Sequence, residues 1–207
     1  MDWQKYTPAE TSRVREAIEW SIFYSYEADD TKTPRVLLIG DSICHGYQSK
    51  VREYLEGKVN VTFWASSKCV TDPDYFKELT YILSIAPYSM VCFNNGGHSR
   101  SSDKTEWKNA YESALHCIRE TLPGTPLALT FCAPTKEAGH TADFAAFNRF
   151  FAEEAEKENL PVIDLFSLLD PLDRDKYWFD LYHFKECGIV LQARKIADFV
   201  LSTLGLS

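Results

Sequence analysis

Three short stretches of this chain carry side chains that can do chemistry together. Gly40-Asp41-Ser42-Ile43 offers a hydroxyl, Phe93-Asn94-Asn95-Gly96 offers amide groups, and Asp180-Leu181-Tyr182-His183-Phe184 offers a carboxylate beside an imidazole. A serine hydroxyl is a poor nucleophile near neutral pH and needs a base within hydrogen-bonding reach. Imidazole has the intrinsic proton affinity for that task. A carboxylate must then hold the imidazole in the correct tautomer and balance its charge. Asp180 stands three residues before His183; in a tight turn or one helical turn, that spacing puts both on one side. N–H donors must meet the developing oxyanion, and Asn94 and Asn95 supply them. Each piece also has a plain reading. Asp41 or Ser42 can cap a helix, Asn-Asn-Gly-Gly can be a turn, and Asp180 and His183 can be a surface pair. What separates the readings is where the surrounding elements put the three stretches.

Those elements alternate between strand and helix. The apolar run Val36–Ile39, stopped by Gly40, reads as a strand buried on both faces, and so do 59–64, 89–93, 127–131 and 160–165. Helices are expected at about 48–56, 74–83, 106–121, 142–158 and from about 185 onward. Thr7-Pro8-Ala9-Glu10 reads as a capping box, and Val14, Ala17, Ile18 and Ile22 follow at helical spacing. An opening helix to about Tyr26 is therefore expected. Its Trp20, Phe23, Tyr24 and Tyr26 exceed one buried stripe, so it covers the sheet or forms an interface. Five strands alternating with helices indicate an α/β fold with a parallel sheet covered on both faces. Ligands of such sheets bind at the carboxyl ends of the strands, where the first two stretches lie. We read residues 1–207 as a single domain, with 1–33 as a helical extension packed on it.

Composition narrows the function classes. The 207 residues carry 22 Lys+Arg against 30 Asp+Glu, a net charge of −8. That balance argues against a nucleic-acid or anionic-membrane partner. No stretch approaches the roughly 20 apolar residues of a membrane span. The six cysteines are widely spaced without a CxxC pair, which argues against a zinc site. Several sit in apolar runs, as expected of reduced thiols in a cytoplasmic protein. No His pairs with another His or Cys at metal-ligand spacing.

Gly40-Asp41-Ser42 after a buried strand, with Asp-x-x-His-Phe near the C-terminus, resembles the SGNH (GDSL-type) esterases and acetylhydrolases. The resemblance covers about residues 34–200. Phe93-Asn94-Asn95-Gly96-Gly97-His98 is similar to an FNNG-x-H form of the family's third block. The resemblance implies a three-layer α/β/α, flavodoxin-like fold with a five-stranded parallel sheet and no metal or organic cofactor. It implies Ser42 as nucleophile, His183 as base and Asp180 as the orienting carboxylate. The oxyanion donors would be the Ser42 N–H, Asn95 (with Asn94 as the alternative register) and a second-block N–H. That block reads Ala65-Ser66-Ser67-Lys68-Cys69 without the family's glycine, so Ser67 or Ser66 would donate.

Asp41, His98, Trp178 and Tyr182 flank the blocks and are candidates for substrate contact, with Tyr47 beside them. His45, His116 and Cys44 are read as structural, and His140 as a residue of the pocket rim. The expected activity is hydrolysis of small acyl esters, acetyl groups of carbohydrates first among them. The expected partner is a small-molecule ester such as an acetylated oligosaccharide. A lysophospholipase or thioesterase would use the same triad. A silent glycan-binding domain would need the serine and the imidazole to stand apart.

Overall fold

The computed structural model describes residues 2–206; Met1 and Ser207, the ends of the expected domain, lie outside the described residues. Six strands form one sheet in the order β1-β3-β2-β4-β5-β6. Here β1 is Ser21–Ser25, β2 Arg35–Gly40, β3 Asn60–Ser66, β4 Met90–Phe93, β5 Leu127–Thr130 and β6 Val162–Ile163. All neighbours pair in parallel except β1, which runs antiparallel to β3.

Strand pleating explains the layers. Successive side chains point to opposite faces, and β2 is buried throughout. Leu37 and Ile39 join the core under α2 (Tyr75–Ser84), α3 (Lys104–Thr121) and α4 (Ala138–Glu158). Val36 and Leu38 join the core under α1 (Ser42–Leu55), α5 (Leu165–Leu169) and α7 (Glu186–Thr203). The result is a three-layer α/β/α arrangement. A short helix, α6 (Arg174–Tyr177), precedes the loop that carries Asp180 and His183.

From β2 the chain crosses through α1 to β3 on one side. From β3 it crosses through α2 to β4 on the other side of β2. The strand order therefore reverses at the carboxyl end of β2, which opens a crevice there. Gly40 ends that strand against the first turn of α1; a Cβ on it would stand 2.6 Å from the Cys44 Cβ.

The opening segment corrects the sequence reading. Among the described residues of 1–33 there is no helical extension: a 3-10 turn, Trp3–Lys5, is all that precedes β1. The capping box starts no helix, and Val14 and Ile18 stand exposed. Trp20, Ile22 and Tyr26 pack on one face of the sheet and Phe23 on the other, which is strand alternation. The run Ile22-Phe23-Tyr24 has the aromatic, β-branched composition that fits a pleated surface. The sheet thus gains a sixth, antiparallel edge strand beyond the five expected. Arg35, buried at the start of β2, ties this strand down by donating to the carbonyls of Tyr26 and Glu27 at 2.6 Å each.

Five thiols are buried, only Cys187 is exposed, and none forms a disulfide. No helix among the described residues is long and apolar enough to cross a membrane.

Gly40→Ala should force β2 and α1 apart. Overpacking of this kind costs about 1–3 kcal/mol, so the midpoint of urea unfolding should fall while Gly46→Ala, which meets nothing within 4 Å, leaves it unchanged or raises it.

Candidate active site

Asp41 and Ser42 stand where β2 becomes α1. The Asp41 carboxylate accepts from the Ile43 N–H at 2.9 Å and so caps the helix. Its other oxygen lies against Gly97; a Cβ on that glycine would collide with it. Ser42 becomes the first helical residue, and its own N–H belongs to the first turn, which has no intrahelical acceptor. α1 was expected only from Gln48. Its first residues, Ser-Ile-Cys-His-Gly, are weak helix formers, and the Asp41 cap compensates.

His183 arrives from the far end of the chain. Its Nε2 lies 2.9 Å from the Ser42 Oγ. Its Nδ1 lies 2.8 Å and 3.0 Å from the two Asp180 oxygens. The Asp180 Oδ1 also accepts the backbone N–H groups of Tyr182 and His183, at 2.8 Å each. Partial burial works against its charged form, but these N–H donors and the imidazole outweigh burial and hold the carboxyl below its ordinary value. The group therefore stays ionised at neutral and mildly acidic pH. Its contribution to stability is present above the unfolded carboxylate value and disappears as pH falls through the lowered folded value.

Trp178, expected to contact substrate, does something else. It is fully buried, packs on Phe184 with ring centroids 4.5 Å apart and donates from Nε1 to the Pro134 carbonyl at 3.1 Å. An isolated bridge pairs Trp178 with Phe184, and the Lys136 N–H donates to the Leu181 carbonyl. These contacts fix the Asp180–His183 turn to the loop after β5. Trp178 holds the Asp180–His183 turn from behind and lines no part of the cavity.

The cavity in front of Ser42 has a volume of about 370 Å³. Ile43, Phe131 and Phe144 give it apolar walls; Glu16, His98, Arg100 and Tyr182 line it as well. His98 Nδ1 meets Glu16 Oε1 at 2.7 Å. Arg100 donates to the Tyr182 hydroxyl at 2.9 Å and to Asp143 at 3.0 Å. His140 stacks on Tyr182, with Nδ1 3.1 Å from the same hydroxyl. Asp41, His98 and Tyr182 thus line the cavity as candidates. Glu16 and Arg100 were missed. Arg100 follows the Asn-Asn-Gly-Gly turn, so the strand-end rule would have reached it; Glu16 was hidden in the helix that does not form. His45 lies exposed on α1 and stacks on Phe63, and His116 is exposed on α3.

The expected oxyanion donors divide. Ser67 is buried and committed elsewhere: its N–H donates to the Trp20 carbonyl at 3.1 Å and its Oγ donates to Glu19 at 2.6 Å. It lines no part of the cavity, so a Ser67 donor is excluded. Asn95 turns its carboxamide away from Ser42, accepting from Val70 N–H at 2.9 Å and donating to the Lys68 carbonyl at 3.0 Å. Asn94 is the asparagine that lines the cavity. Its Nδ2 donates to the Thr130 carbonyl at 2.6 Å and reaches the Cys132 sulfur at 3.5 Å. Of the two asparagines, the structure therefore brings Asn94, and not the favoured Asn95, to the cavity. Among the described residues no cluster of three His, Cys, Asp or Glu side chains could hold a metal ion.

No model of a protein family matches the chain, and no curated protein matches it in sequence. Solved structures do match. A lipolytic G-D-S-L family protein of Veillonella parvula is 18% identical with a TM-score of 0.67, over 80% of this chain and 97% of that one. An acetyl xylan esterase is 16% identical with a TM-score of 0.66, over 80% and 99%. A carbohydrate esterase family 3 structure from Talaromyces cellulolyticus is 15% identical with a TM-score of 0.65, over 84% and 99%.

The two asparagines should separate in experiment. Asn95→Ala frees the Val70 N–H and Lys68 carbonyl in a buried place, so it should lower the unfolding midpoint by the equivalent of about 1–3 kcal/mol. Asn94→Ala should fold with a smaller loss and show its main defect in turnover. The chain has the three-layer α/β/α fold of the GDSL/SGNH hydrolases.

Proposed function

We infer that the protein is a serine esterase acting on small acyl esters, acetyl groups of carbohydrates first among them. The observation that carries this reading is the continuous relay from Asp180 through His183 to the Ser42 hydroxyl, with contacts of 2.8 Å and 2.9 Å at the edge of a cavity. A structural hydrogen-bond network has no need of a serine at a helix N-terminus facing open space. The binding-module reading needs a broken serine–imidazole contact, which this distance argues against.

The chemistry follows from the geometry. His183 Nε2 takes the hydroxyl proton as Ser42 Oγ bonds to the ester carbonyl carbon. The oxyanion forms near the Ser42 N–H, where the positive end of the α1 dipole favours negative charge. Asn94 is the second donor. Its Nδ2 donates to the Thr130 carbonyl at 2.6 Å, and its other contact is the weakly accepting Cys132 sulfur at 3.5 Å. A charged oxygen is a far better acceptor than that sulfur, so an oxyanion within reach of the Asn94 Nδ2 replaces the sulfur contact. His183 then gives its proton to the leaving alcohol, and the carbonyl re-forms as the acyl-enzyme. Water repeats the sequence to release the acid.

The polar side of the cavity, with Glu16, His98 and Arg100, suits a hydroxyl-rich alcohol. The similar structures described as an acetyl xylan esterase and a carbohydrate esterase add weight to a sugar ester. One observation favours a second reading: a cavity of about 370 Å³ with apolar walls exceeds what an acetyl group fills. A longer acyl chain of the lysophospholipase or thioesterase kind would use that space.

A panel of acetyl, butyryl and octanoyl esters with acetylated xylo- and manno-oligosaccharides separates the two. Preference for acetylated sugars supports the carbohydrate reading; kcat/KM rising with chain length replaces it with the lipid one. A fluorophosphonate probe should label Ser42, and Ser42→Ala should lower kcat by about 10⁴–10⁶. An unlabelled wild-type protein without turnover on any ester refutes the esterase reading. Asp180→Asn should cost roughly 10⁴ in kcat with little change in KM, because the imidazole loses its tautomer. Removing the Asn94 donor should cost about 2.7–4 kcal/mol in the transition state, seen as lower kcat at constant KM.

A further inference from the structure

Two carboxylates line the cavity in front of Ser42, those of Asp41 and Glu16. Asp41 is taken up as the cap of α1 and lies against Gly97. Glu16 is left. Its Oε1 meets His98 Nδ1 at 2.7 Å, and among the described residues its Oε2 has no hydrogen-bond partner. No Lys or Arg pairs with it there either: Arg15 bonds Asp72 and Asp74, and Arg13 bonds Glu19. Arg100, the only Lys or Arg of the lining, is engaged as well. Its Nε and Nη2 both stand 3.0 Å from the Asp143 Oδ2, and its Nη1 donates to the Tyr182 hydroxyl. The polar side of the cavity thus presents a carboxylate without a cation, and a cation already balanced by a carboxylate.

Glu16 is also held in place, although its segment has no helix or strand. On one side, Arg15 gives Asp72 two N–H donors, each at 2.9 Å, and the Asp72 carboxylate is fully buried. Such a two-point contact fixes geometry as well as distance. On the other side, the Glu16 N–H donates to the Glu19 Oε1 at 2.9 Å, and the Glu19 Oε2 accepts from the Ser67 hydroxyl at 2.6 Å. The His98 contact then orients the carboxylate itself. An ionised carboxylate only accepts hydrogen bonds. It favours a neutral group that donates and repels a second anion. A hydroxyl of the alcohol half of an ester meets that demand; a carboxylate or phosphate on it does not.

We propose that Glu16 is the specificity-determining residue for the alcohol, accepting a free ring hydroxyl of a neutral, partly acetylated sugar whose acetyl group lies at Ser42. The inference rests on the carbohydrate reading of the esterase. It adds to that reading the residue that recognises the sugar and the charge of the sugar it recognises. Fully acetylated sugars and aryl acetates lack the donor, and acetylated uronic acids carry the repelled charge. Because Glu16 belongs to the opening segment and not to the three blocks, the alcohol is chosen by a part of the chain separate from the triad.

The test compares kcat/KM ratios between substrates, so that a general loss of folded enzyme cancels. The substrates are a mono-O-acetyl methyl xyloside, its fully acetylated form, a mono-O-acetyl methyl glucuronide and acetylcholine. The wild type should prefer the mono-acetylated xyloside to the other three. Glu16→Ala should lower its kcat/KM relative to the fully acetylated form by about ten- to hundredfold, the worth of one hydrogen bond to a charged group. Glu16→Gln, which keeps an acceptor oxygen and loses the charge, should recover part of that ratio and narrow the gap to the glucuronide. An unchanged ratio between the mono-acetylated and fully acetylated xylosides in both variants overturns the proposal. So does a wild-type preference for the glucuronide. A larger loss for acetylcholine than for the xyloside in Glu16→Ala overturns it too, because the carboxylate would then read a cation. A wild-type protein that hydrolyses acetylcholine or long-chain esters but no sugar acetate fails the carbohydrate reading instead, and one that hydrolyses no ester fails the esterase reading, which keeps the failures apart.

Discussion

The site depends on one contact between residues 141 positions apart, the hydrogen bond from Ser42 Oγ to His183 Nε2. Neither residue can bring the other near by local structure. Two helices do it. α1 begins at Ser42 and α7 begins three residues after His183. The helices pack along each other through Cys44, Tyr47, Val51 and Leu55 on one side and Ala193, Ile196, Ala197 and Val200 on the other. Burying those side chains against the sheet sets the axial positions of both helices, and with them the distance between their first turns. Rigid packing is what keeps a heavy-atom distance of 2.9 Å from drifting.

Turns at the ends of those helices finish the alignment. Asp41 caps α1 and its carboxylate presses against Gly97, so the first and third blocks hold each other in place. Trp178 pins the Asp180–His183 turn from below through Pro134. The opening segment closes one wall from outside. Arg15 pairs with Asp72 and Asp74, Ser12 binds Glu106, and Glu16 reaches His98. Residues 11–20 have no helix or strand, so these ion pairs and hydrogen bonds, with one backbone bond from the Ser67 N–H to the Trp20 carbonyl at the segment's end, hold the segment that carries Glu16 to the cavity.

Much of this was legible in the sequence because burial on both faces leaves an unmistakable apolar run. Val36–Ile39 and Met90–Phe93 could hardly be anything but inner strands, and the polar residues at their ends had to face the crevice. The edge strand was not legible, because Val14, Ala17, Ile18 and Ile22 mimic a helical stripe while two of them stand in solvent. Only the aromatic run 22–26 argued otherwise. The choice between Asn94 and Asn95 failed for a different reason. Backbone that continues a strand points neighbouring side chains in opposite directions, so a shift of one residue exchanges the cavity for the protein interior. Family spacing alone does not fix that parity. The carboxamide that turned inward still matters, since Asn95 ties the loop after β3 to the third block and its carbonyl accepts from the buried Trp107 indole.

The cavity is also lined by two thiols, and burial sets them apart from the serine. Cys44 and Cys132 both line it, and a thiolate is intrinsically a better nucleophile than a hydroxyl. Burial raises both: Cys44 well above the ordinary thiol range and Cys132 to about 12, with the nearby Asp41 charge adding to each. At neutral pH both thiols therefore stay protonated. Among the described residues no hydrogen bond joins either thiol to an imidazole, whereas the His183 Nε2 bonds the Ser42 hydroxyl. Of these three groups, the Ser42 hydroxyl is the one with an imidazole hydrogen-bonded to it. The same burial that silences the thiols keeps Cys132 a neutral, weak acceptor beside Asn94. The Asn94 Nδ2 therefore has, beyond the Thr130 carbonyl, only a weak acceptor in the cavity wall.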